Sequence, residues 1–129
     1  MRLRGVGAAA LLVSAGVHLY LWFDGVRHQS VGPMFLVNVV AGATLAVLLL
    51  RWEHLVPALL TAGFGVATLG AFVIASTVGL LGVHTVWAGG SVWTAAVAEV
   101  VCIAVGGVLL LPALPATSLH ASPRRRHAS

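Results

Sequence analysis

Four apolar segments, at about residues 6–23, 31–50, 55–81 and 92–114, occupy most of the chain. Each approaches or exceeds the ~20 residues that a helix needs to cross ~30 Å of hydrocarbon. The linkers between them, "DGVRHQS", "RWEH" and "GVHTVWAGGS", are too short to fold into domains of their own. In lipid every backbone polar group must be satisfied within its own segment, and short linkers make consecutive helices neighbours. The expected fold is therefore all-α: an antiparallel bundle of four transmembrane helices with short loops over residues 1–115, followed by a basic, disordered cytoplasmic tail over 116–129. Composition points the same way, with 60% hydrophobic and only 8% charged residues among 129, against roughly 25% charged in soluble domains.

Charge placement supplies an orientation. The chain has no lysine, and its pI near 11.3 rests on seven arginines. Arg2, Arg4, Arg51, Arg124, Arg125 and Arg126 fall on one side of a four-span chain and Arg27 alone on the other, which predicts cytoplasmic termini. A bacterial plasma membrane is the expected location, given the heavy use of Ala, Val, Gly and Leu. The run Arg124, Arg125, Arg126 reads as a contact with anionic lipid headgroups, not as a nucleic-acid site, because no soluble groove is available. Trp22, Trp52, Trp87 and Trp93 stand at segment ends, where an amphipathic indole prefers the headgroup region. "MRLRGVGAAALLVSA" has the basic start and small residues of a signal peptide, but the apolar run continues through "GVHLYLWF" to spanning length and is read as a first helix.

Small residues predict how the helices associate. In the third segment Gly63, Ala67, Ala71, Ala75 and Gly79 recur every fourth position, a ladder of the kind that lets transmembrane backbones approach closely. A larger side chain at Ala71 is expected to push helices apart. Shorter ladders run through Ala10, Ser14 and His18, through Asn38, Gly42 and Ala46, and through Ala98, Cys102 and Gly106. Cys102, the single cysteine, reads as a small buried hydrophobe.

The fourth segment contains a carboxylic acid, Glu99, in "TAAVAEVVCIAVGG". A charge in hydrocarbon costs about 2.5–3.5 kcal/mol on insertion scales, so Glu99 must be neutral, paired or in contact with water. At 1.5 Å per residue His18 lies about 8 Å below the outer boundary, Asn38 about 10 Å and Glu99 about 10–12 Å, with Ser76 and Thr77 near the same level. His18, Asn38, Ser76, Thr77 and Glu99 thus predict a buried polar layer in the outer half of the bundle, with His18 the nearest counter-group for Glu99. Ser14, Thr44, Thr61 and Thr68 fall deeper.

Two readings of that layer compete. One is interhelical hydrogen bonding that fixes helix register. The other is a proton- or ligand-binding site, since intramembrane ionisable groups often mark relays and substrate sites. The expected role is a structural or accessory membrane subunit, with a small proton-coupled transporter using Glu99 and His18, or a haem- or quinone-binding subunit of a redox complex, as alternatives. Asp24, His28 and His84 in the outer loops could offer zinc ligands, but nothing enforces the geometry, so no metal and no cofactor are expected. No Ser/His/Asp set, phosphate loop or carboxylate pair is present, and no enzymatic activity is expected. The anticipated partners are the lipid bilayer and either further copies of the chain or other membrane subunits.

The stretches "SAGVHLYLW", "GPMFLVNVVAG", "TVGLLGV" and "VAEVV" resemble those of small four-helix integral membrane proteins of high-GC Gram-positive bacteria. These share a histidine late in the first helix, a Gly-Pro opening the second and an acid in the fourth. The resemblance covers most of residues 6–114, implies the same four-helix fold and brings no assigned activity. Length and helix number are also similar to those of small multidrug resistance transporters, whose membrane glutamate lies in the first helix. Here the acid is in the fourth, and no residue role carries over.

Overall fold

The computed structural model of the chain describes residues 2–111. Met1, the end of the expected fourth segment and the tail with Arg124, Arg125 and Arg126 lie outside the described residues. Among the described residues the chain forms four α-helices: α1 (Arg2–Phe23), α2 (Gly32–Arg51), α3 (Leu55–Thr77) and α4 (Gly90–Leu110), with a 3-10 turn at Val26–His28. All four are long and apolar enough to cross a membrane, the architecture of a multi-pass membrane protein. They pack together. The end where α1 and α3 finish and α2 and α4 begin is termed distal, and the opposite end proximal.

Local chemistry sets the helix ends. Pro33 opens α2, where its missing N–H costs nothing. The His54 ring caps α3 by accepting from the Val56 N–H at 3.2 Å. The third helix stops at Thr77, four residues before the end expected from its apolar run. Gly79 takes φ +88 and its N–H reaches back to the Ile74 carbonyl at 3.0 Å, a helix-terminating bond that glycine accommodates without a Cβ clash. Beyond it Leu80 and Val83 exchange backbone hydrogen bonds around Leu81 and Gly82, both at positive φ. This tight turn is then tied down. The Thr85 N–H donates to the Ala75 carbonyl, the Ser30 hydroxyl to the Leu81 carbonyl, and the Trp87 indole to the Ser76 hydroxyl.

The core is concentrated in the proximal half, where Leu11, Leu45, Leu49, Phe64 and Cys102 are buried against alanines of α1 and α2. Glycines set the closest approaches. A Cβ at Gly65 would come 2.6 Å from the Glu99 carbonyl oxygen, and one at Gly106 would come 2.7 Å from the backbone of Ala58 and Ala62. The seam of α3 with α4 therefore runs through Ala58, Ala62 and Gly65. It does not follow the expected ladder: a Cβ at Gly63 would meet nothing within 4 Å, and Ala67 is exposed. A four-residue step advances 400° on a helix with 3.6 residues per turn, so a ladder drifts by 40° per step. From Gly63 to Ala75 it turns by about a third of a revolution, from the bundle exterior to the buried Ala75, and Gly79 lies past the helix end.

At the proximal end Arg4 does more than mark orientation. Its guanidinium donates to the carbonyls of Leu49 at 3.0 Å, Trp52 at 3.2 Å and His54 at 3.2 Å. These belong to the end of α2 and the turn into α3, where carbonyls lack helical partners. Arg4→Met, which keeps the apolar stem, is expected to lower stability in detergent by about 1 kcal/mol, since two of the three bonds are exposed to water. Arg2→Met, at an exposed position, should leave the thermal midpoint unchanged.

Candidate functional site

The distal half is hollow. A cavity of about 780 Å³ lies beneath the Gly79–Gly89 loop and extends down to Ala41, Phe64 and Glu99. Its size falls within the 300–1,000 Å³ typical of small-molecule sites, and its walls are mainly apolar. Met34, Phe35, Val37 and Ala41 of α2 face Ala67, Ala71, Phe72 and Ala75 of α3 across it. The small residues of the expected ladder thus make room for a cavity instead of seating a helix, and a larger side chain at Ala71 would project into this space.

Eight polar side chains line the cavity or support it: Gln29, His84 and Thr85 from the distal loops, and His18, Asn38, Thr68, Glu99 and Ser14 from the helices. Glu99 is only 2% exposed, and it accepts a long hydrogen bond, 3.5 Å, from the hydroxyl of Ser14, which is fully buried. His18 lies one turn further along α1, with Nδ1 2.7 Å from the Ser14 carbonyl oxygen. A carbonyl can only accept, so Nδ1 carries the proton and, in a neutral ring, Nε2 is an acceptor. The ring also packs at a tilt on Phe35, with centroids 4.9 Å apart. Asn38 is 7% exposed and its amide donates to the Thr68 hydroxyl at 3.3 Å, while its Oδ1 is buried without a hydrogen-bond partner.

The arrangement differs from the expected layer in membership. Asn38, His18 and Glu99 line one cavity, but Glu99 bonds to the Ser14 side chain and His18 to the Ser14 backbone, so Ser14 links the two and no His18–Glu99 ion pair forms. Ser76 and Thr77 stand at the distal rim, because α3 ends there. Their hydroxyls donate back to the Val73 carbonyl, a local bond that uses the only proton each has to give. Ser14 and Thr68, expected deeper, take their place. Ser14, Thr68 and Glu99 each lie nine residues from the distal end of their helix, about 13 Å at 1.5 Å per residue. The available signal was periodicity: Ser14 is one turn from His18 on the same face.

Electrostatically the cavity is rich in acceptors. Neither arginine nor lysine lines it, and the only basic side chains that do are the imidazoles of His18 and His84. Among the described residues no group of three His, Cys, Asp or Glu side chains converges as a metal site, and Asp24, His28 and His84 are not brought together. Cys102 is buried at the α3–α4 seam against Gly65. No protein-family model, no curated protein and no solved structure matches this chain.

Proposed function

We propose that the chain is an antiparallel, multi-pass protein of the bacterial plasma membrane that binds a small apolar molecule bearing hydrogen-bond donors in its distal cavity. The observation that carries this reading is the buried, unpartnered Oδ1 of Asn38, a residue that lines the same ligand-sized cavity as Glu99. An orphaned buried acceptor costs about 1–3 kcal/mol, a cost that an occupant with a donor would relieve. The six-to-one arginine split supports cytoplasmic termini, which would turn the cavity towards the outside. Transport, or service as an accessory subunit that presents the ligand to a partner, are both compatible with such a pocket. No catalytic role is proposed.

The competing reading, polar side chains as glue between helices, is favoured by the Asn38–Thr68 and Ser14–Glu99 bonds. One variant separates the two. If Asn38 serves the ligand, Asn38→Leu should raise thermal stability in detergent by about 1 kcal/mol, because it removes an unsatisfied acceptor and loses one interhelical bond worth ~0.6 kcal/mol. It should also abolish retention of whatever small molecule is extracted from the purified protein and detected by mass spectrometry. Destabilisation with the extract unchanged would favour the glue.

A further inference from the structure

We infer that the cavity is filled sideways from the bilayer, by a single-chain amphiphile whose head donates hydrogen bonds to Asn38 and Glu99 while its chain lies in an apolar groove along α2. The inference rests on the binding reading above and names the ligand class and its route.

The first argument is continuity. A second concavity of about 630 Å³ runs along α2 past Val40, Thr44 and Leu48, with Leu60 of α3 beside it. It shares Val37 and Ala41 with the wall of the distal cavity. From Val37 to Leu48 the groove follows α2 for about 16 Å at 1.5 Å per residue, enough for a hydrocarbon chain. Its surface is almost wholly apolar, whereas the cavity end carries the polar groups.

Access is the second argument. α2 and α3 are the least closely packed of the neighbouring helices. Val37, 67% exposed, and Ala67, also exposed, both belong to the cavity wall, so the wall is incomplete between those helices. At the axial end the Gly79–Gly89 loop lies over the cavity and is held in place by Ser30, Ala75 and Ser76. A molecule dissolved in the bilayer reaches the seam without crossing water or breaking those bonds.

Head-group chemistry follows from the acceptors. Asn38, Glu99 and His18 line a space that holds no arginine or lysine, and they carry the unpartnered Asn38 Oδ1, the Glu99 carboxyl and, in a neutral ring, the His18 Nε2 acceptor. A phosphate or carboxylate head would find no arginine or lysine there, only the imidazoles of His18 and His84. A hydroxyl or an amine supplies the donors, and the two share that chemistry.

The test uses the full chain reconstituted in phosphatidylcholine vesicles. Three photoreactive probes carry a mid-chain diazirine: hexadecylamine, hexadecanol and the donor-free hexadecyl methyl ether. The amine or the alcohol is expected to label α2 between Val40 and Leu48, with the ether labelling roughly tenfold less, equivalent to about 1.4 kcal/mol. Preference for the amine assigns a charged head, and preference for the alcohol a neutral one. Val40→Trp, at an exposed position, should cut labelling by a similar factor while the protein stays monodisperse, and Leu48→Trp provides a second obstruction. Equal labelling by the ether, or adducts confined to the Gly79–Gly89 loop, would overturn the inference. Butanol and butylamine separate the two levels: if either stabilises the protein through Asn38 while the long probes show no donor preference, the cavity stands and the groove does not. If neither short nor long donors bind, the binding reading falls as well.

Discussion

Gly106→Ala is expected to unseat α4 from α3 and to lower thermal stability sharply. The added Cβ would stand 2.7 Å from the Ala58 carbonyl oxygen, the Ala62 nitrogen and the Ala62 Cβ. Two of those atoms are backbone and the third is fixed to it, so relief requires the helices to separate. Overpacking of a well-filled interior typically costs 1–3 kcal/mol, and the upper end applies where backbone must move. The effect would also propagate. The same seam places Gly65 against the Glu99 carbonyl oxygen, so a shift of α4 carries Glu99 away from Ser14. Gly63→Ala is the matched control on α3. Its Cβ meets nothing within 4 Å, and the gain in helix propensity, roughly 0.5–1 kcal/mol, should leave stability equal or slightly higher. Thermal denaturation in one detergent decides between them. If Gly63→Ala proves the more damaging, the every-fourth-residue ladder is the packing face and the seam described above is not.

The contrast between those two glycines shows what the sequence could disclose. Four spans were legible because apolar length is a one-dimensional property. Which small residue faces a helix was not, because a ladder of every fourth residue drifts by 40° per step. Gly79 misled twice, as a rung of the ladder and as helix interior, when it is the terminator of α3. That error moved the end of the third helix by four residues, or about 6 Å. It put Ser76 and Thr77 inside the layer and Thr68 below it. His18, Asn38 and Glu99 were legible as polar residues in apolar runs, since each needs an account in hydrocarbon. The cavity itself was not, because a void is a property of all its walls at once.

Ser14 and Glu99 should prove strongly coupled, and unequally. Ser14→Ala removes the hydrogen bond of a carboxyl that is 2% exposed, and the acceptor left behind should cost about 1–3 kcal/mol. Glu99→Leu removes the costly group itself. The freed Ser14 hydroxyl can turn to the carbonyl one turn back on α1, the usual recourse of a helical serine, so stability should change little. With Glu99 already leucine, Ser14→Ala should then be nearly silent. The double-mutant cycle is therefore expected to give a coupling of about 1–2 kcal/mol in thermal or denaturant unfolding. His18 supplies the decisive comparison. Its bond is to the Ser14 carbonyl, not to Glu99, so His18→Leu and Glu99→Leu should add. If that pair couples instead and Ser14 with Glu99 adds, histidine and acid meet directly, and the polar centre is an ion pair and not a serine-bridged acid open to a ligand.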